Sequence, residues 1–278
     1  MFKIMLDAGH YGKQNRSPCN RAYWESEMAW KLHRYLREEL LKYDCQVDIT
    51  RADEEKDMPV YNRGAMAKGY NLFLSLHSNA VGSRIANGTD RPVIVYPVLN
   101  DLNQKDFAKA IGETVHKVMK TKQKAQPYVR PIDGRPTVNY YGVLRGAVAV
   151  GCKQAYIIEH GFHTDTYCTN WLLVDSNLRA MAKAEAKTIA EYFNLEEREE
   201  PMTKEERAEF DALKAKVAEL DKNCSETYNS KNDLPKWATN TKEFVDRKYI
   251  EGDETGKLRL SYQMVRIFEI VGRMFKGK

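Results

Sequence analysis

Asn71-Leu-Phe-Leu-Ser-Leu-His77-Ser-Asn-Ala80 is a short apolar run that stops in polar residues. Leu72, Phe73, Leu74 and Leu76 fill a strand's length, and His77 stands where the run ends. Two other stretches share the design. Phe2-Lys-Ile-Met-Leu-Asp-Ala-Gly-His10 runs apolar into Gly9-His10, and Ala155-Tyr-Ile-Ile-Glu-His-Gly161 stops at Glu159. Such runs, bounded by polar residues or glycine, are the pattern of buried strands in an α/β sheet. Ligands of these sheets bind beyond the carboxyl ends of the strands. Three strands ending in His, His and Glu therefore predict one convergent site, of the kind that holds a metal.

Outward from these strands, the spacing predicts alternating elements. Glu25 opens an amphipathic helix with Met28, Leu32, Leu36 and Leu40 as its buried stripe. A carboxylate in a first turn is favoured by the helix dipole alone; Glu27 shares that position and rivals Glu25 for any ligand role. Val47–Thr50 and Pro92–Val98 read as strands, Val60–Lys68 and Gln104–Lys120 as helices, and Trp171–Phe193 as one further helix. Tyr128–Tyr141, rich in Pro, Gly, Arg and Tyr, reads as a substrate-facing loop. His33 and His116 fall in helical patterns as surface residues. Strand alternation turns His160 away from the side of Glu159, and Arg51 and Arg63 read as braces for loops or helix ends.

The chain has 278 residues, 42% hydrophobic and 30% charged, as in a soluble globular protein. No apolar segment reaches the roughly 20 residues of a membrane span. Lys3 interrupts the apolar start, so a signal peptide is not expected. The five cysteines are odd in number, with no Cys-x-x-Cys pair, which argues against a disulfide framework or a thiolate zinc knuckle. The net charge of +5 is spread along the chain, without a nucleic-acid motif.

At Glu196-Glu-Arg-Glu-Glu200-Pro201 the composition changes. Thr203 and Glu206 have capping-box spacing, and Phe210, Leu213, Val217 and Leu220 follow a 3-4-3 spacing that predicts a helical spacer. A last module begins with a helix at Pro235-Lys-Trp237-Ala, turns at Gly252-Asp-Glu-Thr-Gly256 and ends in a helix over Tyr262–Phe275. The expected organisation is a catalytic domain over 1–195, a charged helical linker over 196–232 and a small module over 233–278.

A catalytic zinc site keeps three protein ligands and one open position, and two histidines with one glutamate are an established set. In this chain His10, Glu25 and His77 are the candidate ligands for one Zn2+, and Glu159 is a spare carboxylate placed to act as general base.

Leu6-Asp-Ala-Gly-His10, Glu25 before its Leu-patterned helix, Thr50-Arg51-x-Asp53, Arg63, Phe73-Leu-Ser-Leu-His77-Ser-Asn-Ala80 and Ile158-Glu159-x-Gly-Phe162 occur in that order. Together they resemble the zinc-dependent N-acetylmuramoyl-L-alanine amidases of bacterial autolysins and phage endolysins, over Met1 to about Leu195. The resemblance implies a mixed, mostly parallel sheet flanked by helices, zinc on His10, Glu25 and His77, and Glu159 as the catalytic carboxylate. Asn79 is a candidate substrate contact. The implied reaction is cleavage of the peptidoglycan amide between N-acetylmuramic acid and L-alanine of the stem peptide. Rival expectations are a non-catalytic wall-binding protein and a zinc peptidase acting within the stem. Tyr11 stands where the family often has Gly, and Phe162-His-Thr-Asp165 replaces a more usual ending. The last module resembles small modules at the ends of phage and prophage amidases, with anionic wall polymers or a second copy of the chain as its expected partner. The expected setting is a phage endolysin that stays in the cytoplasm until a holin-type route releases it.

Overall fold

The computed structural model describes residues 1–99, 103–198, 208–216 and 227–276. It divides into two compact units, Met1–Glu199 and Glu200–Lys278. In the first, Phe2–Ala8 (β1) leads through Glu25–Leu40 (α1) to Cys45–Ile49 (β2), then through Val60–Ala65 (α2) to Leu72–Asn79 (β3). Val93–Val95 (β4), Gln104–Met119 (α3) and Gln126–Tyr128 (β5) follow. After Pro131–Ile132 (β6) and Arg135–Asn139 (β7) come Gly142–Ala149 (α4), Gln154–Phe162 (β8), Thr166–Leu172 (α5) and Asp175–Phe193 (α6).

The main sheet has the order β2-β1-β3-β8-β4-β5. β2, β1, β3 and β8 are parallel, whereas β4 runs antiparallel to β8. This is the expected mixed, mostly parallel sheet between helices. The chain leaves β1 toward β2 on one side and returns to β3 on the other. That reversal opens a crevice beyond the carboxyl ends of β1 and β3, where α/β sheets bind ligands.

Strand alternation assigns the two faces. Ile4, Leu6, Leu72, Leu74, Leu76 and Ile158 pack on one side, with the Leu stripe of α1 and the inner faces of α3 and α6. Met5, Phe73, Val93, Val95 and Ile157 pack on the other, with Val143, Leu144 and Ala147 of α4. Asp7, Ser75, His77 and Glu159 continue this second face by steps of two, so the polar site extends the smaller core.

Three expectations need correction, and one element was not foreseen. The unforeseen element is α4, which crosses α2 with backbones nearly touching. A Cβ on Gly64 would lie 1.9 Å from the Val143 carbonyl oxygen, and one on Gly146 would lie 2.0 Å from that of Tyr61. Trp171–Phe193 is not one helix: Val174 is extended between α5 and α6. Tyr128–Tyr141 is not wholly loop, since β6 and β7 pair as a hairpin. His33 is buried rather than on the surface, 1% exposed, beside Trp30.

In the second unit, residues 208–216 are helical (α7), with Phe210 and Leu213 exposed. Thr203, Glu206, Val217 and Leu220 lie outside the described residues. Thr227–Tyr228 (β9) pairs with Leu260–Ser261 (β10), and Thr239–Asp246 (α8) and Tyr262–Lys276 (α9) complete the unit. Pro235–Ala238 forms a turn, so the helix expected from Pro235 starts at Thr239. Leu234, Ala238, Leu260 and Val265 make a small core. Buried Glu269 accepts hydrogen bonds from the Thr241 N–H (2.7 Å) and hydroxyl (3.0 Å), tying α9 to the start of α8. No helix among the described residues is long and apolar enough to cross a membrane.

Gly146→Ala should destabilise the first unit by about 1–3 kcal/mol, the usual range for forced overpacking, read as a lower denaturant midpoint at unchanged slope. Burial, with the Arg51 charge adding to it, holds the His33 imidazole down to about 4. The unfolded chain therefore takes up this proton first as the pH falls. Stability should decline from pH 6.5 toward about 4, by up to about 3 kcal/mol. Urea titrations should find that His33→Gln removes this part of the acid sensitivity.

Candidate active site

Glu25 begins α1 at the mouth of the crevice, 2% exposed. Its Oε1 lies 2.8 Å from His77 Nδ1 and 3.2 Å from His10 Nε2. The Ser78 N–H donates to the same oxygen (3.1 Å), and the Asn15 side-chain amide donates to Oε2 (2.8 Å). Burial alone would raise the Glu25 carboxyl, but hydrogen bonds from His10 and His77 outweigh it and hold the group well below the usual carboxylate range. Burial likewise opposes a charge on His10, and Glu25 overrides it, raising the imidazole above its ordinary value. Glu27, the rival in the same turn, faces Lys13 at 3.9 Å instead.

The ring of His77 is fixed from behind. Ser75 donates its hydroxyl to Asp7 Oδ2 (2.7 Å), so its oxygen accepts from His77 Nε2–H at 3.1 Å. Asp7 is held in turn by the Thr50 hydroxyl (2.6 Å). The neutral ring then presents the Nδ1 lone pair to a carboxylate oxygen, and only a further proton there makes the hydrogen bond to Glu25 described above. Two acceptors in contact need a cation between them, a proton or a metal ion. The donor atoms of His10, Glu25 and His77 all lie within 4.8 Å of one another, and a neutral imidazole pair with one carboxylate suits a divalent metal. The chain fits the ion that its sequence implies.

Strain and clamps place His10. Its φ is +59°, a left-handed conformation that disfavours a side chain by about 1–2 kcal/mol. Arg51 Nη2 donates to the His10 carbonyl (2.7 Å), and Arg51 and Arg63 both reach the Ala8 carbonyl at 3.3 Å. Gly9 has no room for a side chain: a Cβ there would sit 2.4 Å from His77 Cε1.

Glu159 pairs in register with His77 on the neighbouring strand. It is 8% exposed, and its Oε2 has no hydrogen-bond partner. Burial, and then the nearby Glu25 charge, push its carboxyl well above the ordinary value. The four residues line an open cleft of about 440 Å³, with Asn79, Tyr11 and Tyr141 on its walls. The site is thus a half-buried donor cluster, with Glu25 at its buried centre, beside a carboxyl group able to carry a proton.

Two histidines acquire partners that spacing alone did not assign. His163 hydrogen-bonds the Ser78 hydroxyl (2.9 Å), stacks on Tyr23 and stands 3.8 Å from Glu25 Oε2. A register shift between β3 and β8 after His77, with Gly161 at φ +71°, turns it inward. His160 faces the opposite side of the sheet, where its Nε2 meets Glu185 of α6 at 2.8 Å and its Nδ1 meets the His77 carbonyl at 3.0 Å. Both members of that pair are wholly buried. Glu185 is spaced as a helix-surface residue, so its role was not legible locally.

A donor cluster of this kind, at the switch point of an α/β sheet with a spare buried carboxyl, defines a hydrolase. The chain belongs to the N-acetylmuramoyl-L-alanine amidase family, which it matches over residues 4–191; the enzyme class expected from its motifs is the one it has, and peptidoglycan is the substrate of that class. The amidase CwlM of Bacillus licheniformis is 24% identical over 213 residues, 76% of either chain. Among solved structures, an amidase from Clostridium difficile 630 shares the fold with a TM-score of 0.58 at 20% identity, covering 69% of this chain and 97% of its own. The Clostridioides difficile amidase CwlD, solved with the lipoprotein GerS, superposes with a TM-score of 0.57 at 20% identity, covering 70% and 99%.

Gly9→Ala should displace the His77 ring while leaving the fold intact. The expected loss in divalent-cation affinity is about 10–100-fold, the scale of supporting-residue changes at metal sites, read by competition with a chelating dye.

Proposed function

We propose that the first unit hydrolyses the amide between the lactyl group of N-acetylmuramic acid and L-alanine, with one zinc ion held by His10, Glu25 and His77. When bound, zinc supplies Lewis acidity, polarising the scissile carbonyl and making water acidic enough to attack near neutral pH. Glu25 contributes the negative charge of the ligand set, and the Ser78 N–H and Asn15 amide fix both of its oxygens. Asp7 and Ser75 hold His77 in the tautomer whose Nδ1 lone pair faces the cluster. Glu159 takes the proton from attacking water and returns it to the departing L-alanine nitrogen. Asn79, on the cleft wall, contacts substrate. The observation that carries this reading is the buried Glu159 Oε2, unpartnered beside a three-donor cluster: a proton carrier needs that free oxygen and that raised affinity.

The second unit has its own small core, which supports a separate role as a wall-binding or dimerising module at 233–278, joined to the catalytic domain (1–195) by a linker (196–232). Anionic wall polymers are its proposed ligands. We assign the chain as a phage or prophage endolysin, held in the cytoplasm until released to the wall. Comparing full-length protein with residues 1–199 on whole cells tests the module: wall-binding requires the shorter form to lose cell association while keeping activity on soluble fragments.

Mass analysis of digested peptidoglycan should show free L-alanine N-termini on intact glycan. Cleavage within the stem would indicate a peptidase, and no release a binding protein. Chelation should abolish activity and zinc restore it. Glu159→Gln should keep zinc but lower kcat by about 10²–10⁴-fold, the usual contribution of a general base.

A further inference from the structure

A second groove of about 270 Å³ shares Asn79 and Tyr141 with the cleft and continues over Phe162 and Tyr128 to Arg91. Arg91 is fixed in place. Its Nε donates to Gln126 Oε1 (2.8 Å), its Nη1 reaches Gln123 Oε1 (3.4 Å), and its guanidinium lies 5.6 Å from the Phe162 ring centroid. Each of these partners is neutral, and among the described residues no carboxylate forms an ion pair with it. Asp90, the adjacent acid, is occupied by the backbone N–H groups of Lys122 and Gln123 (3.0 Å to the latter). A half-buried, pre-oriented guanidinium that lines a groove, with no hydrogen bond to its Nη2 among the described residues, is suited to receive a carboxylate.

The strand register sets the distance from the chemistry. Val93 lies opposite Glu159 on antiparallel strands. Arg91 precedes Val93 by two positions, just before β4 begins, roughly 7 Å along the extended chain at about 3.4 Å per residue and one strand over from Glu159. A peptide spans about 3.5 Å per residue, so a stem leaving the scissile bond along this groove brings its second residue to Arg91.

We propose that Arg91 binds the free α-carboxylate of the residue following L-alanine, so that the enzyme selects stems whose second residue is an acid over those in which it is amidated. This rests on the amidase reading and adds a direction to it: the peptide runs over β8 and β4 toward β5, and the glycan leaves on the other side.

The test uses two soluble substrates, MurNAc-L-Ala-γ-D-Glu-L-Lys and its α-amide, MurNAc-L-Ala-γ-D-isoglutaminyl-L-Lys. Full-length enzyme should favour the acid by about tenfold in kcat/KM, as one partly exposed charge-assisted contact allows. Arg91→Gln should bring that ratio close to one by losing rate on the acid, and Arg91→Lys should retain part of it. A ratio near one in the natural enzyme, or one unchanged by Arg91→Gln, overturns the proposal. Calorimetric binding of the same pair to full-length Glu159→Gln, with and without Arg91→Gln, reads the subsite without turnover. If the digest shows a bond other than the muramoyl amide being cut, the amidase reading falls. The dependence of acid binding on Arg91 is then still scored by calorimetry.

Discussion

One buried carboxylate organises the catalytic unit. Glu25 is sealed from water and would be strongly disfavoured as a charge, yet two imidazoles, a backbone N–H and a side-chain amide converge on its two oxygens. Removing a partner from such a group leaves a buried charge exposed to low dielectric, which is far more damaging than losing an ordinary hydrogen bond. The consequences run outward. The loop carrying His10 must take a left-handed turn, Arg51 must hold that turn by its carbonyl, and Gly9 must stay bare for the ring of His77. The N-terminus of α1 adds its dipole in the favourable sense.

The strands, and the grouping of the four candidate residues at one edge of the sheet, were legible because strand periodicity coincides with where the polar residues fall. Apolar runs that stop at His10, His77 and Glu159 mark strand ends, and parallel strands bring their carboxyl ends to one edge. The step of two from Met5 to Asp7, from Phe73 through Ser75 to His77, and from Ile157 to Glu159 puts all of these side chains on one face. Glu25 could not be separated from Glu27 by spacing alone. What separates them is burial: one turns toward the sheet, the other toward solvent and Lys13.

What stayed hidden depends on contacts between distant segments. α4 is a short, apolar helix whose crossing with α2 depends on one glycine from each, Gly64 of α2 and Gly146 of α4, that admit backbone against backbone. His33 matches a surface pattern, but Trp30 and Arg51 close over it. His163 looks like any polar residue after a strand, and only the register shift past His77 turns it toward Ser78 and Glu25. Glu185 sits in a charged helical sequence and is recognisable only once His160 is seen against it. Each case rests on tertiary packing, about which the residue's own helical or strand spacing carries no information.

The chain's exit from α6 sets where the first unit can be joined to another. The edge strand β2 and the turn before it are covered by the segment that follows: the Asp44 N–H donates to the Glu196 carbonyl (2.8 Å), the Arg198 N–H to Lys42 (2.7 Å), and the Arg198 guanidinium to the Cys45 carbonyl (2.8 Å). An uncovered edge invites pairing with foreign strands. A recombination joint placed just after the last helix would strip this border, whereas one beyond residue 198 would keep it. A second unit joined to this hydrolase therefore has a natural seam, set by the hydrogen bonds of a sheet margin rather than by the end of the matched motifs.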